Sequence, residues 1–111
     1  MPRKTRPRHL HKAVERMTYL ADRFPDSAGI LQRALNQAAR EVLLSQHSDW
    51  TFIMENGTHS RYAEKRLEEH IGRFNFLYES IISGEVSEES LREIEDRDGL
   101  FKDIDYRVYR C

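Results

Sequence analysis

Apolar residues recur along most of the chain at steps of three and four, the spacing that places side chains on one face of an α-helix. This pattern predicts a first helix over residues 8–24, a second over 27–46 and a third, the longest, over 59–82. The three apolar stripes are Leu10, Val14, Met17, Ala21 and Phe24, then Leu31, Leu35, Ala38 and Val42, and finally Leu67, Ile71, Phe74, Tyr78 and Ile81. Further apolar residues widen the second stripe, which indicates burial against more than one neighbouring element.

Residues that start or stop helices bound these segments. Pro25 ends the first helix, because the residue before a proline is displaced from the α region. Asp26 or Ser27 is expected to cap the second helix, and Thr58 the third. Gly84 ends the third helix.

A short fourth helix is predicted after Ser87, whose hydroxyl can accept from the first free amides. Glu88 and Glu89 would lie favourably at its positive end. The helix closes at residues 98–99, an Asp-Gly pair typical of turns.

Residues 47–56 interrupt the helical pattern. Ser48 and Asp49 have the form of a helix start, and a compact apolar group follows over residues 50–54. Residues 56–57, Asn-Gly, then indicate a C-terminal cap or a turn. The sequence therefore predicts a separate short segment at the junction of the second and third helices.

The predicted fold is all-α, a small bundle of three long helices with a short fourth helix and an extended C-terminal tail. In the tail, Ile104, Tyr106 and Val108 alternate as in one extended segment laid across the helices. The 111 residues suit one ordinary domain. We expect a flexible basic arm over residues 1–7 and a single helical domain over 8–111.

Composition excludes several functional classes. The formal net charge is -1, so no global field favours nucleic acid or an anionic membrane. The basic start lacks interleaved aromatic residues, and no apolar run approaches the ~20 residues that a membrane span needs. The single cysteine, Cys111, offers no disulfide framework. We therefore expect a cytoplasmic protein that binds neither nucleic acid nor membrane.

Candidate chemistry is sparse. No two of the five histidines show the i, i+4 spacing of a helical zinc site, so we predict no metal site and no cofactor. Carboxylate pairs such as Glu64 and Glu68 lie on helix faces, whereas a glycosidase pair needs two carboxyl groups across a rigid cleft. We therefore predict no catalytic residue in this chain.

Trp50 is the residue with the most functional potential. It is the only tryptophan and follows Ser48 and Asp49 between two long helices. An indole ring stacks well on the apolar face of a sugar, because both surfaces are flat. The alternative is a core anchor, since large aromatic side chains are usually buried for packing alone. Composition and spacing favour the core anchor.

Several longer stretches resemble one family. The run over residues 33–54, RALNQAAREVLLSQHSDWTFIM, is similar to the C-terminal helical domain of family 57 glycoside hydrolases of the 1,4-α-glucan branching enzyme kind. The likeness continues at residues 57–58 and 62–66, at 69–75 and 77–78, and at 94–98 and 101–109. It covers nearly everything from about Leu10 onward, and its Ser-Asp-Trp run and Asp-Ile-Asp-Tyr-Arg ending are specific together.

The resemblance implies a role in α-glucan or glycogen metabolism. Full enzymes of the family resemble an incomplete (β/α) barrel that carries the catalytic glutamate and aspartate, followed by helical regions. Neither catalytic motif stands in this sequence, so the implied piece lacks its barrel and is not catalytic alone. The resemblance implies that Trp50 lines the glucan cleft, with Asp49 as a neighbour that holds the loop. It reverses the preference for a core anchor.

The implied partners are an α-glucan and the catalytic barrel, either in cis or as a separate chain. If the barrel covers the Trp50 segment, the isolated chain exposes an apolar patch there, and self-association is expected. The rival hypothesis is a helical protein–protein interaction module with no carbohydrate role.

Overall fold

The computed structural model describes residues 5–54 and 58–110, and it confirms an all-α fold with no strand in those ranges. Its helices are α1 (Thr5–Arg23), α2 (Gly29–Met54), α3 (Thr58–Ser83) and α4 (Glu88–Arg97). A 3-10 turn, Tyr106–Tyr109, follows near the C-terminus. None of the helices in the described part of the chain combines the length and the apolar character that crossing a bilayer requires.

The two longest helices, α2 and α3, form the main helix contact, and α1 packs against both. The apolar core lies between these three helices and is closed by single residues from α4 and the tail. Its buried members are Ala13, Met17, Leu20, Ala21, Ala34, Leu35, Ala38, Ala39, Val42, Phe74, Leu77, Ile81, Leu91 and Tyr106. Burying one large aliphatic or aromatic side chain contributes roughly 1.5–3 kcal/mol, so these stripes supply most of the driving force for folding.

Two predicted helix boundaries are confirmed. Ser87 caps α4, with its Oγ accepting from the Ser90 amide at 3.2 Å. Gly84 follows α3 with a φ of 79°, in the left-handed region that favours glycine. Its amide donates to the Ile81 carbonyl at 3.1 Å, which satisfies one of the last carbonyls of the helix.

The predicted break at residues 47–56 is wrong for the part that the structure describes, because α2 continues through to Met54. Ser48 does not cap a new helix; it is buried inside α2. Leu44, Ser48 and Thr51 succeed one another at steps of four and three, so they extend the contact face of α2. Packing against α3 therefore outweighs the local capping preference of serine. Residues 56–57, the expected cap or turn, lie outside the described residues.

The other helix starts differ from expectation by a few residues. Helix α1 begins at Thr5, while residues 1–4 of the expected arm lie outside the described residues. Helix α2 begins at Gly29, and the Ser27 hydroxyl pairs with the Tyr106 hydroxyl at 2.8 Å. Thr58 starts α3, although its side chain, the expected cap, is outside the described part.

The tail packs across the helices as expected, but it is not extended throughout. Asp105 accepts from the Arg107 amide at 3.0 Å, and this local bond caps the 3-10 turn that follows. The turn buries Tyr106 and exposes Val108, so the predicted alternation fails. The Tyr106 amide donates to Asn36 Oδ1 at 3.0 Å, which ties the turn to α2.

We expect Tyr106→Phe to lower the free energy of unfolding by about 1–2 kcal/mol. The hydroxyl of this buried residue contacts both the Ser27 hydroxyl and the Phe24 carbonyl, and its loss leaves both groups without that partner. Urea denaturation measures the change. Tyr19→Phe, on the exposed side of α1, is the matched control and should change stability by less than about 0.5 kcal/mol. Equal effects of the two substitutions would contradict the assigned role.

Candidate functional site

The last turns of α2 present an exposed apolar face. Trp50, Ile53 and Met54 are 62%, 59% and 61% exposed, and their i, i+3, i+4 spacing places them side by side. We call these three residues the apolar strip. Trp50 is therefore not a core anchor within this domain. Asp49, the other predicted site residue, is half-buried on α2, and its role stays a prediction.

A cleft of about 270 Å³ lies between the end of α2 and the start of α3. We call it the α2–α3 cleft. Its lining combines polar and apolar side chains, namely Leu44, His47, Ser48, Thr51, Tyr62, Ala63, Arg66, His70 and Leu100. The apolar strip does not line the cleft. The C-terminal turns of α2 therefore contribute to two separate surfaces, the apolar strip and the α2–α3 cleft.

A buried polar network lies beneath this cleft, and its centre is Glu41, His70 and Asp98. His70 Nδ1 lies 2.9 Å from Glu41 Oε1 and 3.4 Å from Asp98 Oδ2. The network joins α2, α3 and the C-cap of α4. Sequence reasoning missed it, although a signal was present: Glu41 and His70 each follow a core residue, Ala38 and Leu67, by three positions, so both fall on buried stripes.

The hydrogen-bond partners of His70 define its tautomer. Its Nε2 lies 3.3 Å from Nη2 of Arg66, and a guanidinium can only donate. Nε2 is therefore the acceptor, and the ring proton on Nδ1 is donated to Glu41. Arg66 is itself held by Glu69, with Nη1 3.1 Å from Oε1. Arg66 thus links the buried network to the lining of the cleft.

Arg73 pairs mainly with Asp98. Its Nη1 lies 2.9 Å from Asp98 Oδ2, whereas its Nη2 lies 3.9 Å from Glu69 Oε1. Glu69 and Arg73 have the i, i+4 spacing of a surface pair on one helix, but the shorter contact of Arg73 is to the buried carboxylate. A buried carboxylate requires such a partner, since an uncompensated charge in the interior costs several kcal/mol.

The network extends to the loop after α4. Gln37 Nε2 donates to Glu41 Oε2 at 3.0 Å and to the Asp98 carbonyl at 3.1 Å. Arg40 donates to the carbonyls of Phe101 and Lys102, both at 3.1 Å. Between these contacts Phe101 adopts a φ of 60°, a left-handed conformation that is unfavourable for a bulky residue. The arginine bonds hold the loop in this shape.

The two buried carboxyl groups have opposite pKa shifts. Burial, reinforced by the neighbouring Asp98, raises the pKa of Glu41 to about 7 despite the hydrogen bond from His70. Burial acts in the same direction on Asp98, but the hydrogen bond from Glu41 and the Arg73 guanidinium outweigh it and lower the pKa of Asp98. Around neutral pH, Asp98 thus carries the negative charge that faces Arg73, while Glu41 is close to its titration point.

Glu41, His70 and Asp98 also offer three atoms within 4.8 Å of one another, a spacing compatible with a metal ion. The chemistry of the site does not fit one well. Arg73 already occupies Asp98 Oδ2 at 2.9 Å, and a divalent cation there would face the guanidinium. The absence of a metal site stays a prediction, and hydrogen bonding explains the arrangement.

Comparison with known proteins identifies the family. Residues 9–109 match the family model described as 1,4-alpha-glucan branching enzyme, C-terminal. The chain belongs to this family. The resemblance seen in the sequence is therefore confirmed.

Two much longer relatives contain such a domain. The chain is 31% identical over 100 residues to a 1,4-alpha-glucan branching enzyme of Thermococcus kodakarensis, covering 86% of this chain and 15% of that protein. It is 42% identical to the alpha-amylase AmyC of Thermotoga maritima, whose crystal structure it matches with a TM-score of 0.87. That match covers 100% of this chain and 22% of AmyC. The chain thus spans less than a quarter of the length of either relative.

We expect Glu41→Gln to remove a pH dependence from the stability of this domain. The pKa of Glu41 rises from 4.5 to about 7 on folding, so the folded chain binds a proton that the unfolded chain releases in this range. Its stabilising contribution is full below pH 4.5 and is lost as the pH rises to about 7. The loss should amount to about 3 kcal/mol.

Urea denaturation at several pH values between these limits measures this effect. The wild-type chain should lose more stability than Glu41→Gln as the pH rises, whereas the exposed control Glu68→Gln should follow the wild type. Parallel pH profiles for the wild type and Glu41→Gln would contradict the assignment.

Proposed function

We propose that this chain forms one wall of the glucan-binding cleft of an α-glucan-modifying enzyme and that other parts of that enzyme carry out catalysis. The observation that carries the proposal is the exposure of Trp50, a residue of the apolar strip that is 62% exposed. The family match gives this exposed indole a context in carbohydrate metabolism. Trp50 and Asp49 are the proposed glucan contacts.

The two proposed contact residues have complementary chemistry. The Trp50 indole offers a flat apolar face for the C–H face of a pyranose ring, and its N–H can still find a polar partner. Asp49 precedes it on α2 and supplies a half-buried carboxylate that can accept from sugar hydroxyls. One stacked ring contributes on the order of 1 kcal/mol beyond area burial, so binding by this domain alone is weak.

The proposed protein partner is the catalytic barrel, in cis or as a separate chain. The relatives that contain this domain are four to seven times its length, as its 22% and 15% coverage of them implies. Ile53 and Met54, the two residues of the apolar strip that are not proposed to contact the glucan, are exposed on the last turns of α2. Apolar surface of this kind marks a site of protein contact.

For the parent reaction we propose glycosyl transfer within α-glucans. Transfer would pass a cleaved α-1,4-linked chain to a 6-hydroxyl through a double displacement. The relative from Thermococcus kodakarensis is named as a branching enzyme, in agreement with transfer, while AmyC is named as an alpha-amylase. A cytoplasmic location remains part of the proposal, supported by a single cysteine that has no disulfide partner in the chain.

The rival hypothesis, an interaction module without a carbohydrate role, explains the apolar strip equally well on its own. It leaves the family match unexplained. The two hypotheses differ in whether a glucan perturbs the indole.

Titration with maltoheptaose should change the fluorescence of the isolated chain. Trp50 is the only tryptophan, so the emission reports on this one side chain. We expect a saturable change with a dissociation constant of roughly 1 mM. Asp49→Asn should weaken binding, whereas Asp103→Asn, on an exposed part of the tail, should not.

Cellohexaose, a β-linked glucan, is the control ligand for this titration. An emission spectrum that stays unchanged up to the solubility limit of maltoheptaose would support the interaction module instead.

The isolated chain should also self-associate through the apolar strip. We expect a concentration-dependent sedimentation coefficient, and we expect the double substitution Ile53→Lys and Met54→Lys to shift the chain toward monomer, because it places charges on the exposed surface. Ile82→Lys, an exposed apolar residue at the other end of α3, is the control. A wild-type chain that remains monomeric at high concentration would count against the docking surface.

A further inference from the structure

The α2–α3 cleft is a second candidate site, separate from the indole face of Trp50. We propose that this cleft binds one pyranose ring of the same α-glucan. The class of ligand, an α-glucan, rests on the proposed function. The position of the binding site rests on the geometry of the cleft. None of the apolar strip lines it, so occupancy of the two sites can be measured independently.

The lining provides the two kinds of contact that a sugar ring needs. Ser48 and Thr51 from α2 bring hydroxyl groups, and Arg66 from α3 brings a guanidinium. These groups can donate to the hydroxyls of a sugar. Tyr62 and Leu100, 66% and 65% exposed, offer apolar surface for the C–H face of the ring.

The volume and charge of the cleft select among ligands. At about 270 Å³ it lies near the lower limit for small-molecule pockets, which suits one ring and not several. The positive charge of Arg66 is paired with Glu69, and among the residues that the structure describes no other arginine and no lysine lines the cleft. A neutral hydroxyl-rich ligand therefore fits better than a phosphate, which would require unpaired cations.

Both sides of the cleft are held in place before any ligand arrives. On α3, Arg66 is fixed at two points by Glu69 and by the buried ring of His70. On the opposite side, Leu100 precedes Phe101, whose left-handed conformation is held by the bonds from Arg40. A site whose side chains are already ordered loses less entropy on binding. Maintaining an unfavourable backbone conformation beside the cleft also points to a functional constraint.

Isotope-edited NMR of the full chain titrated with maltotriose tests this proposal. We expect saturable shifts at the amides of Thr51, Tyr62 and Leu100 and at Nε–H of Arg66, with a dissociation constant of roughly 1 mM. Tyr62→Ala should weaken these shifts about two- to tenfold, the loss expected for one aromatic contact. Thr51→Val, which keeps the shape and removes the hydroxyl, should also weaken them. Tyr19→Ala on α1 is the control and should leave them unchanged.

The indole N–H of Trp50 separates this proposal from the proposed function. Shifts at the cleft that weaken in Tyr62→Ala support the cleft site, whether or not the indole responds; a silent indole would contradict only the Trp50 contact. Shifts confined to the indole would overturn the cleft site and leave the proposed function standing. No shift at either place would overturn both. Stronger cleft shifts with inorganic phosphate than with maltotriose would overturn the assignment to a sugar.

Discussion

The ion pair between Arg73 and Asp98, together with the hydrogen bond between His70 and Glu41, is the interaction on which the rest of this structure depends. It joins three elements that are distant in sequence: α2, α3 and the C-cap of α4. Apolar stripes alone allow helices to slide or rotate against each other with little change in buried area. Buried charged groups do not, because each misaligned partner leaves an unsatisfied polar group in the interior. The network therefore fixes the register of α2 against α3.

Two arginines connect α2 and the buried network to groups at the surface. Arg40 reaches from α2 to the carbonyls of Phe101 and Lys102 and holds the loop that carries Leu100. Arg66 contacts the Nε2 edge of His70 and lines the α2–α3 cleft. The surface proposed to meet a glucan and a catalytic barrel thus rests on a rigid interior. Functional groups supported in this way are held more precisely than groups on an unsupported loop.

Much of the fold follows from sequence periodicity, and the exceptions have physical reasons. The stripes through Met17, Leu35 and Phe74 predicted the three long helices, because burial of those faces dominates the folding energy. The junction at Ser48 was predicted wrongly, since a serine followed by an aspartate has the same local form at a helix start and inside a helix that packs onto a neighbour. Only the position of α3 distinguishes the two cases. The 3-10 turn at Tyr106 likewise depends on contacts with distant residues.

Part of the candidate site could likewise be predicted from the sequence, and part of it could not. The family resemblance singled out Trp50, and its exposure could not be predicted from spacing, because an exposed and a buried tryptophan have the same local pattern. The network around Glu41 is not predicted from residue type, because charged residues on a helix usually lie on its solvated face. A carboxylate and a histidine that both fall on the buried stripes of adjacent helices are expected to pair with each other in the interior. This pairing can be predicted from the sequence once the apolar stripes have been identified.

A double-mutant cycle on Arg73 and Asp98 tests most directly whether the buried network holds the fold. Unfolding free energies of Arg73→Ala, Asp98→Ala and the double variant give the coupling between the two side chains. The same cycle on Arg92 and Glu88, an exposed pair at a similar distance of 2.8 Å, provides the reference. We expect a coupling of at least about 1.5 kcal/mol for the buried pair and less than about 0.5 kcal/mol for the exposed pair. Equal couplings for the two pairs would contradict the account.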